Sequence, residues 1–159
     1  MKKYTSFARF QLRKDLPEAE QQKLRDSLAA YRRVIVTVTE QRLAPYQSFF
    51  AKFAPESPVI YVFYTPAKSM LQIQRAVSAA EAVVLAHASR DDVQERVADL
   101  LFGKATADGR LSASIGGLFP TGSGVTITPH TPFHFVPEEY GMKSEVLRRC
   151  LLYTSDAAD

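Results

Sequence analysis

Val59-Ile60-Tyr61-Val62-Phe63-Tyr64, directly after Pro58, is apolar at every position. A strand with one wet face would alternate polar and apolar residues. An unbroken apolar run of this length instead describes a strand covered above and below, as in a parallel sheet with helices on both faces. Two other runs read the same way: Val34-Ile35-Val36-Thr37-Val38 upstream and Ala82-Val83-Val84-Leu85-Ala86 downstream.

Around these runs the apolar period lengthens to that of a helix. Pro45 opens a segment in which Tyr46, Phe49, Phe50 and Phe53 fall at i, i+3, i+4 and i+7, one face of a helix. Met70, Ile73 and Val77 mark another. Val93, Val97, Leu100 and Leu101 mark a third, with Ser89 and Asp92 at capping-box spacing before it and Gly103 placed to end it. Upstream, Pro17 sits where a first helical turn tolerates it, and Leu24, Leu28 and Tyr31 share a face. Tyr4 to Leu12 reads as one more strand. Strand and helix alternating at this spacing imply right-handed crossovers and a layered α/β fold. The expected architecture is a mostly parallel sheet with helices on both faces, a three-layer α/β/α sandwich of flavodoxin-like kind, incomplete at its N-terminal side.

After Gly103 the composition shifts. Residues 104–137 hold five of the seven glycines and four of the nine prolines. Leu111–Ile115 and Val125–Ile127 read as short strands or extended segments lying over the sheet edge or reaching toward a neighbour. Residues 138–149 read as a linker entering a helix.

Composition excludes several classes. With 159 residues, 46% apolar and 23% charged, the chain suits one globular domain of roughly 100–200 residues. The formal charge is +3, and residues 1–33 carry nine of the twenty bases but only four of the seventeen acids. A nucleic-acid binder interleaves a basic stripe with exposed aromatics. Here the aromatics sit in apolar runs, so the basic start reads as a solvated face and no nucleic-acid partner is expected. No apolar run approaches the roughly 18–20 residues of a membrane span. Met1-Lys2-Lys3 resembles the start of a signal peptide, but Arg9, Arg13 and Lys14 interrupt the apolar stretch that should follow. Cys150 is the single cysteine, which leaves no internal disulfide and no Cys-x-x-Cys pair.

Catalytic patterns are equally scarce. Gly116-Gly117-Leu118-Phe119-Pro120-Thr121-Gly122-Ser123-Gly124 could cradle phosphate only if a helix followed, and Val125-Thr126-Ile127-Thr128-Pro129 is extended in character; it reads as a turn. His130 and His134 have helical metal-ligand spacing. Pro129, Pro132 and Pro137 disfavour a helix there, and in an extended chain they would lie about 13 Å apart. His87 follows the third strand run, at the strand end where open α/β sheets gather ligands; a hydrogen-bonded structural histidine is the plainer reading. There is no Gly-x-Ser-x-Gly and no Ser-x-x-Lys. Asp91 and Asp92 are adjacent, and at a helix start the macrodipole accounts for them. No catalytic, cofactor-binding or metal-binding residue is therefore expected.

Phe102-Gly103-Lys104-Ala105-Thr106-Ala107-Asp108-Gly109-Arg110-Leu111-Ser112-Ala113-Ser114-Ile115 resembles the end of the C-terminal domain of glycoside hydrolase family 3. There a helix ending in Leu-Phe/Tyr-Gly leads into a Gly-(Arg/Lys)-Leu-Pro-Val-(Thr/Ser)-Ile segment. Ser112 replaces the usual proline here, and Ala107-Asp108 replaces the usual Pro/Ser pair. The preceding βα series, including Val83-Val84-Leu85-Ala86, is similar in order and spacing, so the resemblance covers roughly residues 4–127; βα order alone is shared by many folds. The nearest likeness is to β-N-acetylhexosaminidase-type members, some of which continue into a β-lactamase-like serine hydrolase, and Glu138–Arg149 resembles the start of that junction.

The resemblance implies residues 1–127 as part of the α/β domain, 128–149 as a linker toward a missing domain, and 150–159 as a tail resembling translated adaptor read-through. It implies a non-catalytic supporting domain. Its partner would be an N-terminal catalytic barrel of the same parent chain, acting on a glycan or peptidoglycan fragment in a periplasmic or secreted setting. The family's catalytic residues lie in that barrel, and none carries over. The alternative is a self-standing flavodoxin-like binding or receiver module, which needs an acidic pocket or phosphate loop at the strand ends; neither is found.

Overall fold

A computed structural model of the chain describes residues 7–53 and 57–129. Three strands, β1 (Val34–Val38), β2 (Val59–Phe63) and β3 (Ala82–Leu85), lie parallel in the order β1-β2-β3. Val34 pairs with Val59 and Val38 with Phe63; Ile60 pairs with Ala82 and Phe63 with Leu85. The helices are α1 (Glu18–Ala29), α2 (Gln47–Lys52), α3 (Gln74–Ser78) and α4 (Asp91–Leu101), with 3-10 turns at Ala44–Tyr46 and Ala67–Ile73. The fold is α/β, with helices on both faces of a parallel sheet.

Side chains alternate across each strand, and the two resulting sets go to different cores. Val34, Val38, Val59, Tyr61 and Phe63 meet Phe49, Phe50 and Phe53, then Met70, Ile73 and Val77. Leu24 and Leu28 of α1 pack against the same cluster. On the opposite face Val62 and Tyr64, with Ile35, Ile60 and Val84, meet Val93, Val97 and Leu101 of α4. Strands added in sequence order by crossovers of one hand place both connecting segments on one face. That is why α2 and α3 share a side and α4 stands alone on the other.

The first face is the aromatic one. Phe49 stacks on Phe53 at 5.4 Å and meets Phe50 edge-on at 5.6 Å; Phe50 leans on Tyr61 at 6.1 Å. Each such side chain contributes about 1.5–3 kcal/mol by leaving water. Arg25 of α1 is also buried, its guanidinium 5.6 Å from the Phe49 ring centre and 2.7 Å from the Glu18 carboxylate. Glu18 also receives Lys52 Nζ at 2.9 Å. Those two hydrogen bonds, Lys52's first, hold its carboxyl below the usual range, and they tie α1 to α2.

Several expectations are corrected. Residues 7–12 form no strand, and Tyr4–Ser6 lie outside the described residues; Phe10 instead meets Tyr31 edge-on at 5.8 Å. Tyr31 lies past the end of α1 and is exposed. The helix expected around Met70–Val77 begins as a 3-10 turn, which rises about 2.0 Å per residue against 1.5 Å in an α-helix and so recrosses the sheet in fewer residues. No capping box forms at α4. Arg90 takes the Asp92 carboxylate at 2.8 Å, and Gln94 Nε2 donates to the Ser89 carbonyl and hydroxyl at 3.3 Å.

The far end of α4 closes as the glycine requires. Gly103 is left-handed (φ 71°), its N–H donates to Leu100 O, and Lys104 N–H reaches Asp99 O at 2.7 Å; this is the Schellman arrangement. The chain then doubles back. Ala107 and Ile127 exchange both backbone hydrogen bonds, Leu111 N–H donates to Ser123 O, and Ile115 drops into the first core at 5% exposure.

Phe63→Ala is expected to cost about 3–5 kcal/mol and Thr37→Ala less than about 0.5 kcal/mol, read from urea midpoints. Burial raises the Tyr61 phenol well above its ordinary value of 10.0, so the folded chain stays protonated where the unfolded chain ionises. Stability is then fully present below about pH 10 and falls above it, by up to about 1.4 kcal/mol per pH unit. Tyr61→Phe should flatten part of that loss above about pH 10, with Tyr64, also raised by burial, accounting for a remainder.

Candidate functional site

Parallel strands bring all three carboxyl ends to one edge of the sheet, where ligands of open α/β folds collect. Tyr64 N–H to Val38 O (2.9 Å) and Ala86 N–H to Phe63 O (2.8 Å) carry the ladders one residue further. Beyond them the chain must turn away. After β2 it does so through Thr65-Pro66 into the 3-10 turn at Ala67, and after β3 through His87. The doubled-back segment containing Arg110 to Gly116 passes over both exits. Together these enclose a cleft of about 380 Å³.

His87 makes the sharpest of these turns. It is the one non-glycine with positive φ (62°) among the described residues, and Ala88 N–H donates back to Ala86 O across it at 2.8 Å. A left-handed backbone costs an L-residue about 1–2 kcal/mol. The turn brings its imidazole to the cleft wall, together with Lys68 and Arg110. Arg110 is held by neutral acceptors: Nη1 donates to Asp108 O (3.1 Å) and Gly109 O (3.2 Å), and Nη2 to Thr126 Oγ1 (2.8 Å). Ser112 and Ser114 add hydroxyls to the same wall. Gly116 lets this segment close down on Leu71: a Cβ there would lie 2.7 Å from Leu71 Cδ2, and its φ is 52°.

No Asp or Glu lines the cleft. General acid–base work on a glycosidic bond needs two carboxyls about 5–10 Å apart, and this cleft supplies none. Its lining instead offers hydrogen-bond donors and cations, among them Lys68, Arg110, Ser112 and Ser114. No group of three or more His, Cys, Asp and Glu that could hold a metal occurs among the described residues. No helix there is long and apolar enough to cross a membrane.

No family model matches the chain, and no curated protein or solved structure is significantly similar to it.

Of the residues singled out in the sequence, His87 is at the strand end where α/β topology puts it. Gly116–Gly124 folds into turns followed by extended chain, without a helix. Asp91 and Asp92 stand in the first turn of α4, and the Arg90 hydrogen bond holds the Asp92 carboxyl below its usual range. His130, His134 and Cys150 lie outside the described residues. Lys68, Ser112 and Ser114 carried no signal as a group, because nothing in the chain's local pattern links a 3-10 turn to a loop across the sheet. A second groove of about 330 Å³, between β3 and α4, is lined mainly by Val84, Val93, Val97 and Leu100 and holds no reactive pair.

The backbone strain at His87 gives a direct check. His87→Val is expected to lower stability by about 1–2 kcal/mol, since a β-branched side chain fits a left-handed backbone worst, while His87→Gly loses nothing or gains up to about 1 kcal/mol. Thermal unfolding of the two variants beside the parent measures both.

Proposed function

We propose that this chain is a non-catalytic α/β domain of a glycoside hydrolase of the family 3 kind, β-N-acetylhexosaminidase-like, working by packing against a catalytic barrel. The observation that carries the reading is the segment Phe102–Ile115. Several positions on which the family likeness turns have a physical task here. Gly103 supplies the left-handed stop, and the chain returns so close to Gly109 that a Cβ on Gly124 would collide with the Gly109 carbonyl. Arg110 pins the returning chain at Thr126, and Leu111 pairs with Ser123 and Gly122. A motif that folds a wrap over the strand ends is a structural signature, and it fits a supporting domain better than a reacting one.

The cleft's lack of carboxylates favours the same division of labour: in the parent, bond breaking falls to the barrel. The parent reaction would be hydrolysis of a terminal β-linked N-acetylhexosamine from a glycan or peptidoglycan fragment, in the periplasm or outside the cell. A receiver module would want clustered acids at the strand ends, and among the described residues no such group stands there.

The purified chain should release no nitrophenol from 4-nitrophenyl N-acetyl-β-D-glucosaminide, and the DNA upstream of Met1 should continue in frame into a barrel. Turnover that survives repurification and the Asp91→Asn/Asp92→Asn double variant would overturn the non-catalytic assignment. A promoter and ribosome-binding site directly before Met1 would overturn the parentage.

A further inference from the structure

We propose that the cleft at the carboxyl edge of the sheet is a binding site for a small oxyanion, a phosphate or carboxylate group carried by a small molecule. The charge on its walls has one sign. Lys68 and Arg110 supply it from separate segments, His87 lines the cleft from a third, and no acid stands among the lining residues. Lys68 and Arg110 make no ion pair among the described residues. Four cations elsewhere do have an acid beside them: Arg25 and Lys52 with Glu18, Arg33 with Glu81, Arg90 with Asp92. Cations gathered in a concave, partly apolar pocket without counter-charge focus a positive potential into it.

Neutral donors complete the wall. Ser112 and Ser114 contribute hydroxyls, and the N–H groups of Ser112, Ala113 and Ser114 donate to no backbone carbonyl among the described residues. An ammonium, an imidazole, hydroxyls and unspent amides are the groups that hold phosphate and carboxylate oxygens. The volume of about 380 Å³ is within the range of small-molecule sites. The strained turn at His87 adds a further reason, since such conformations concentrate where a fold positions a ligand group. Arg110, committed to its own loop, acts through its field and by holding that loop in place; Lys68 and the serines are left to meet the ligand. This inference stands apart from the glycosidase reading, because it concerns what this chain binds by itself.

The test is an amide chemical-shift titration of the full 159-residue chain with inorganic phosphate and, separately, with glucuronate. Glucose and sodium chloride serve as neutral and ionic-strength controls. At least one oxyanion should produce saturable shifts centred on His87 and Ser112–Ser114, with neither control reproducing them. Lys68→Gln should weaken that binding by about threefold to fivefold, the loss of one exposed charge-assisted contact. His87→Gly, which keeps the turn, should weaken it measurably while the spectrum stays dispersed. Saturation by phosphate alone assigns a phosphate site, by glucuronate alone a carboxylate site, and by both a site that reads the oxyanion itself. Absence of saturable shifts with either, shifts matched by chloride, or equal affinity in parent and both variants would overturn the proposal.

Discussion

Val62 and Phe63 are neighbours in the chain, both are wholly buried, and they face opposite sides of the sheet. That pairing forces the architecture. A central strand that hides adjacent side chains in two cores needs a strand on each flank and helical cover on each face. β1 and β3 supply the flanks. The crossovers between strands supply one cover, and α4, arriving after the last strand, supplies the other. Phe63 sits in an aromatic cluster, so its truncation removes more contact area than any change at the solvent-facing Thr37 could.

The two covers are unequal, and the inequality is written into side-chain choice. The crossover face is lined by phenylalanines from α2 and by Tyr61 and Phe63, with α1 closing over them through Arg25 and Glu18. The other face is aliphatic apart from Tyr64, and α4 spans only part of it. Ile35 and Ile60 are left half-covered there, and Thr37 is exposed. The one polar residue of the β1 run therefore marks where the helix does not reach. β3, continuous in apolar residues, is half-exposed at Val83, Val84 and Leu85 on both faces because it is an edge strand of the sheet.

The same topology builds the cleft. Parallel pairing aligns the strand exits, and what happens next depends on fixing the loops above them. Gln72 does this on one side, accepting from Leu43 N–H at 2.8 Å and donating to Gln41 O at 2.7 Å. The glycine stop after α4 does it on the other, sending residues 104–129 back over the sheet. A rigid rim made of backbone hydrogen bonds can hold like charges together at a cost that flexible loops would relax. This links the packing of the wrap to the anion chemistry inferred for the cleft.

The strands at 34–38, 59–63 and 82–85 were legible because hydrophobic period is a local property, carried by residues that are neighbours along the chain. So was the glycine that stops α4, since a left-handed residue is needed wherever a Schellman turn closes. Tyr4–Leu12 looked like a strand for the same local reason, yet residues 7–12 pair with none; β character without a partner is not a strand. The capping box at Ser89 failed because α4 begins one residue later than that spacing requires: Arg90 is the N-cap, and its guanidinium takes the Asp92 carboxylate. The cleft could not be read at all beyond His87. Lys68, His87 and Ser114 meet only because three strands run the same way and a distant loop folds back over their ends, and electrostatic convergence of that kind depends on distances through space that no periodicity along a chain encodes.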